Sequence, residues 1–127
     1  PSLSPLKRFL AMTHILYHNP RCSKSRDTLA LLQAQGISPT IVPYLDTPPD
    51  AATLRSLLAK LGMQDARALM RQGEAEYQAL NLADPALSQD ALIAAMQAHP
   101  RLIERPILVH GDQAVIGRPP ERVRDIW

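Results

Sequence analysis

The chain has 127 residues, net charge +2, 46% hydrophobic and 20% charged side chains, a length and composition that suit one globular domain and exclude a disordered chain. The near-neutral balance excludes a strongly basic nucleic-acid binder, and no run approaches the ~20 apolar residues of a membrane span. A single cysteine, Cys22, excludes an internal disulfide and any zinc site needing two cysteines, and makes a reducing cytoplasm the expected home.

Residues 1–12 read as an N-terminal extension that need not be ordered, with Met12 as a candidate natural start. The stretch is too weakly apolar for a signal peptide. The domain is expected over residues 13–127. Ile15, Leu16 and Tyr17 form a short apolar run, predicting a buried strand, which Asn19-Pro20 breaks. A polar, donor-rich loop follows, Arg21-Cys22-Ser23-Lys24-Ser25-Arg26. From Ser25 the spacing of Leu29, Ala30, Leu32 and Ala34 predicts a helix that Gly36 stops. Thr40–Leu45 reads as a second strand, and Pro43 suggests an edge or an end position. The first 45 residues are therefore a βαβ unit with parallel strands.

The middle is helical. Asp50 is an N-cap candidate before the stripe Leu54, Leu57, Leu58, Leu61, and Gly62 ends it. Asp65 can cap a short helix over Ala66–Met70 that runs into Arg71. Glu74–Leu80 supplies another turn or two. Ser88 opens a further helix through Leu92, Ile93 and Met96, stopped at His99-Pro100. Residues 49–99 thus look like an insertion. The end changes character again: Ile107–Val109 and Ala114–Ile116 flank His110-Gly111-Asp112 as a hairpin. Glu121–Trp127 is predicted to be a C-terminal helix with proline at its first turn.

The candidate chemistry starts at Cys22. A thiol between a strand and a helix start faces unpaired N–H groups and the positive helix end, both of which favour thiolate. An ordinary thiol, with a pKa near 8.5, is only about 3% ionised at pH 7. Arg21, Lys24 and Arg26 add charge in the same loop. The bland alternative is a buried structural cysteine, but its polar, cationic neighbours favour a reactive one. The hydroxyls of Ser23 and Ser25 and the helix-start N–H groups also suit an oxyanion, although no glycine makes this a P-loop. His18 either orients the loop or assists the thiol as a charge partner; a strand-end histidine bonded to main chain is the other reading. No metal-ligand spacing appears.

Basic residues are lopsided, 11 Arg to 3 Lys, and arginine's rigid fork of donors suits oxyanions. Arg105 and Arg118 flank the hairpin. They are either two surface loop arginines or, since a hairpin brings its ends together, a pair converging near Cys22.

The stretch Tyr17-His18-Asn19-Pro20-Arg21-Cys22-Ser23-Lys24-Ser25-Arg26-Asp27-Thr28-Leu29 closely resembles the glutaredoxin-dependent arsenate reductases, whose His-x3-Cys-x3-Arg motif is met by His18, Cys22 and Arg26. The resemblance continues through Arg67-Ala68-Leu69-Met70-Arg71 and Leu102-Ile103-Glu104-Arg105-Pro106-Ile107, and ends with Gly117-Arg118-Pro119-Pro120-Glu121. It covers nearly all of residues 13–127. It implies an α/β, thioredoxin-like fold with a helical insertion and a cis peptide before Pro106. It also implies a nucleophile at Cys22 and anion-binding, transition-state arginines at Arg71, Arg105 and Arg118, with His18 and Arg26 in support.

Arsenate, glutathione and glutaredoxin are the implied substrate, co-substrate and partner. No bound cofactor, nucleic acid or membrane is implied, and a monomer is expected. Arg21 and Ser23-Lys24 replace small residues of better-studied members, making the site mouth more basic. Two other functions fit the same superfamily. One is a redox regulator binding RNA polymerase, although such proteins often carry Cys-x-x-Cys and position 25 here is Ser. The other is a glutathione-dependent thiol reductase.

Overall fold

A computed structural model describes residues 13–127; the expected extension at 1–12 lies outside them. The chain forms two compact units. One joins the described residues up to Pro43 to Arg105–Trp127, and the other is Tyr44–Glu104.

The first unit is built on a four-stranded sheet. Strands β1 (His14–Tyr17), β2 (Thr40–Val42), β3 (Ile107–His110) and β4 (Gln113–Ile116) are ordered β2-β1-β3-β4. β1 pairs in parallel with β2, Leu16 opposite Ile41, and antiparallel with β3, Leu16 opposite Leu108. Helix α1 (Ser23–Ala34) is the crossover between the parallel strands. β2 is an edge strand, and the strand expected over Thr40–Leu45 stops at Val42 because Pro43 has no N–H to continue the ladder, so Pro43 marks both an edge and an end. The hairpin β3–β4 turns on Gly111-Asp112, where Gly111 takes φ +63°, a left-handed backbone that only glycine adopts freely. Leu16, Leu32, Leu108, Val115 and Val123 are buried together, with Leu29, Ile37 and Ile126 packed against them. The apolar positions of α1, β1 and the hairpin thus face one core.

Two local expectations are corrected here. Helix α1 begins at Ser23, not Ser25, with Cys22 as its N-cap. Glu121–Trp127 is not an α-helix: Pro120–Asp125 is a 3-10 helix. Pro119 and Pro120 lack the N–H groups of an ordinary first turn, and the short run closes with tighter i to i+3 bonds.

In the second unit, α2 (Ala51–Leu61) buries Leu54, Leu57 and Leu58. Asp50 caps it, its carboxylate accepting from Thr53 N at 2.8 Å, and Gly62 ends it at φ +71°. The expected helix at Ala66–Met70 is a 3-10 turn, Ala66–Leu69, capped by Asp65 accepting from Arg67 N at 3.0 Å. Helix α3 (Ala75–Ala79) follows. Helix α4 (Gln89–Ala98) starts at Ser88, whose hydroxyl accepts from Ala91 N at 3.1 Å, and buries Leu92, Ile93 and Met96. Met70 and Ile103 meet in an antiparallel bridge that closes the unit on itself. Among the described residues no helix is long and apolar enough to cross a membrane. The architecture is α/β and thioredoxin-like, with the helical segment between β2 and β3 in the chain.

Candidate active site

The loop before α1 is shaped by its own main chain. Asn19 Oδ1 accepts from Arg21 N at 3.0 Å, and Asn19 O accepts from Cys22 N at 3.0 Å. This side-chain mimic of a turn followed by a backbone turn is what Asn-Pro favours. Arg26 N then donates to Cys22 O at 3.0 Å, the first bond of α1. Cys22 therefore occupies the N-cap, with extended φ/ψ of −95° and 125°. No side-chain cap bond closes on the thiol, so the free N–H dipoles of the first turn act on it electrostatically.

Several forces act on the sulfur, and they differ in sign. Partial burial raises the Cys22 pKa. The N–H groups of Ser25 and Lys24, the Ser25 hydroxyl and the Arg118 guanidinium lower it, and together they win, so the thiol lies below its ordinary value. Arg118 Nη2 donates to Cys22 Sγ at 3.6 Å. The cation that helps the thiolate thus comes from the hairpin, not from the side chains of Arg21, Lys24 and Arg26 as the sequence suggested. Lys24 contributes through its main chain, and Arg26 Nη1 is bonded to Pro20 O at 3.0 Å, bracing the loop.

Ser25 is fully buried, and its Oγ also accepts from Asn19 N at 3.4 Å. It acts on the thiol and the loop from inside. Ser23 is exposed at the rim. His18 is buried, its main-chain N–H donating to Val42 O at 3.0 Å and its ring Nδ1 without a partner among the described residues. Burial first, then the Arg26 charge, hold His18 below the ordinary histidine value. A ring kept neutral in this way fits a loop-orienting role better than that of a charge partner.

Arg118 reaches Cys22, and Arg105 meets Arg118 through its main-chain carbonyl. The hairpin brings them together, Arg118 Nε donating to Arg105 O at 2.8 Å and Gly117 N to Pro106 O at 2.9 Å. The peptide before Pro106 is cis, as the resemblance implied, and so is the one before Pro119, which it did not. Cys22, Ser25, Arg105 and Arg118 thus belong to one unit.

Arg71 belongs to the other. Its main chain is fixed by Arg71 N donating to Leu102 O at 2.7 Å. Its guanidinium is paired with Glu74 at 2.7 Å and with Glu104 at 3.6 Å, and Glu74 also meets Arg101 at 3.5 Å. Arg67, in the same sequence motif, has a different task. Its Nε and Nη2 bind Leu82 O at 2.7 Å and Asp84 O at 2.6 Å, pinning the turn after α3.

Sequence reasoning missed the Asn19 turn, which it read only as a strand breaker, and the inward position of Ser25. Asparagine preceding proline was the available signal for the first, and the i, i+3, i+7 spacing of Ser25, Thr28 and Leu32 for the second.

Known proteins resemble this chain in sequence and in fold. The family model described as ArsC family matches residues 17–126. The uncharacterized protein YfgD of Escherichia coli K12 is 61% identical over 87% of this chain and 93% of its own. The arsenate reductase of Haemophilus influenzae is 50% identical over 91% of this chain and 99% of its own. Among solved structures, the arsenate reductase from Vibrio cholerae superposes with a TM-score of 0.89 at 54% identity, covering 91% of this chain and 98% of that one. With a family model that matches residues 17–126, nearly every described residue, this chain belongs to the ArsC family.

Proposed function

We propose that this protein is an arsenate reductase that works in the cytoplasm with glutathione and glutaredoxin. The observation that carries the reading is the 3.6 Å contact between Arg118 and the Cys22 sulfur at a helix start. It pairs a nucleophile favoured as its anion with a fork of donors suited to a tetrahedral oxyanion. The arsenate reductase names of relatives at 46–50% identity support the same substrate.

In this reading Arg105 and Arg118 hold arsenate beside the thiolate. Arg71 takes its anion-binding role from the motif alone. The Cys22 thiolate attacks arsenic, a sulfur–arsenic bond forms, and an arsenate oxygen leaves as water after protonation. Glutathione thiolate then forms a disulfide bond to Cys22 as the sulfur–arsenic bond breaks. The electron pair of that bond stays on arsenic, reducing As(V) to As(III), which departs as arsenite. A glutaredoxin thiolate attacks the glutathione sulfur of the mixed disulfide and releases the Cys22 thiolate. One cysteine suffices because the resolving thiols come from outside. A steady-state assay of arsenate-dependent NADPH oxidation, coupled through glutathione, glutaredoxin and glutathione reductase, tests the reading. Turnover that requires all three additions and vanishes in Cys22→Ser is expected. NADPH consumption independent of arsenate contradicts it.

A further inference from the structure

Gly117 ends β4 and precedes Arg118, and it is buried. Its backbone does not lie in the left-handed region, so its need for glycine comes from space and not from its own dihedrals. A β-carbon here would lie 2.7 Å from Thr28 Oγ1, 2.9 Å from Pro106 Cγ and 3.3 Å from Thr28 Cγ2. Nonbonded heavy atoms of this kind rest near 3.5–4.0 Å, so something would have to move. Neither neighbour yields easily. Thr28 is fully buried within α1, where a β-branched side chain has few rotamers. Pro106 is a rigid ring whose carbonyl accepts from Gly117 N at 2.9 Å.

Thr28 lies on the helix whose N-cap is Cys22, and Arg118 follows Gly117 directly. The contact between Gly117 and Thr28 therefore ties the element carrying the cation to the element carrying the thiol. Thr28 Oγ1 makes no hydrogen bond, which leaves shape as what this side chain offers its neighbour.

We propose that Gly117 is a positioning residue: its missing side chain lets the hairpin base seat on Thr28, and that seating sets the distance from Arg118 to Cys22. A methyl group at 117 lifts the base off the helix, and Arg118, one peptide away, moves with it. The attraction between guanidinium and thiolate falls with distance, and falls faster once water enters the gap. The inference rests on Cys22 being the reactive thiol, but its test needs no arsenate, so failure of the proposed reaction and failure of this seating are told apart.

The test is iodoacetamide alkylation of Cys22 against pH in the full chain, with far-UV circular dichroism and thermal melting to follow the fold separately. Gly117→Ala should alkylate roughly three- to fivefold more slowly at pH 7, as a smaller thiolate fraction requires, with the titration midpoint moved upward. Thr28→Ala alone should stay within about twofold of the unsubstituted protein, since it removes no partner of the thiol. Gly117→Ala combined with Thr28→Ala takes away two of the three close contacts and should recover much of the lost rate. Gly117→Ala with lower thermal stability but an unchanged midpoint overturns the proposal, because that is the signature of packing alone. So does a double variant that is no more reactive than Gly117→Ala. Should Gly117→Ala fail to fold, a folded double variant with a near-native midpoint supports the seating, and an unfolded one or one with a raised midpoint overturns it.

Discussion

The guanidinium of Arg118 meets the sulfur of Cys22 at 3.6 Å, although 96 positions separate them in the chain. The contact exists because β3 pairs with β1 and the hairpin returns Arg118 to the end of β1 from which the Cys22 loop departs. A cation delivered by the sheet is held more firmly than one on an exposed loop side chain, and its second donor, Nε, is already fixed on Arg105 O.

That geometry separates the two hairpin arginines. Arg118 lowers the Cys22 pKa directly, while Arg105 supports Arg118 through its main-chain carbonyl. Arg118→Met removes the charge and should raise the midpoint of Cys22 alkylation, while the N–H groups of Lys24 and Ser25 still hold it below the free-thiol value near 8.5. Arg105→Lys keeps the carbonyl and should leave that midpoint in place. Equal shifts in both variants contradict the assignment.

Turnover should respond differently. If both arginines clamp the oxyanion, Arg105→Lys and Arg118→Lys should each lower arsenate turnover roughly 10- to 1000-fold, the scale for losing a transition-state donor. An ammonium makes a point contact where a guanidinium makes two parallel ones. Arg55→Lys is the control: Arg55 is an exposed arginine paired with Asp90 in the other unit, and its replacement should change turnover little. Three similar losses in coupled steady-state assays would remove the basis for a clamp.

Much of this was legible in the sequence, for identifiable reasons. Alternation of apolar runs with Pro and Gly placed the strands, because Pro43 and Gly111 act on their own neighbours. Asp50 and Ser88 were readable as caps for the same local reason. The approach of Arg118 to Cys22 required knowing that the hairpin joins the sheet at β1, which is a non-local pairing. The inward turn of Ser25 follows from the helix period, which puts it on one face with Thr28 and Leu32. What Arg67 does was illegible, since only the distant carbonyls of Leu82 and Asp84 reveal its task.

Arg67 accordingly supports the fold. Arg67→Ala leaves the Leu82 and Asp84 carbonyls without these donors and should cost about 1–3 kcal/mol in denaturant unfolding. Cys22 alkylation in the folded variant should keep its native rate. A reactivity loss without a stability loss would assign Arg67 to the chemistry instead.

Acid should destabilise the protein through its histidines. His14 stacks on His110 with ring centroids 3.9 Å apart, and His110 Nδ1 lies 2.6 Å from Ile126 O. Burial first, then the His110 charge, hold His14 below its ordinary value, partly offset by a main-chain contact at Trp127. His18 is lowered as well. A histidine depressed in the fold binds its proton more readily when unfolded. Its contribution is therefore complete above the unfolded value, about 6.5, and is lost as pH falls through it toward the folded value. The melting temperature should drop between pH 7 and pH 5. His14→Phe, which keeps a ring for the stack and cannot protonate, should flatten that slope. A melting temperature that rises on acidification contradicts the sign.

The most direct measurement is intact mass of the protein incubated with reduced glutathione, with and without arsenate, and with Cys22→Ser as the blank. Glutathione alone has no electron acceptor with which to join the thiolate, whereas arsenic bound to Cys22 accepts the two electrons. A glutathione adduct that forms on Cys22 only when arsenate is present, and that glutaredoxin removes, is the result expected of an arsenate-reducing Cys22. An adduct forming at the same rate without arsenate contradicts it and marks a general thiol-redox protein, while no adduct under any condition, together with tight binding to RNA polymerase, marks a regulator.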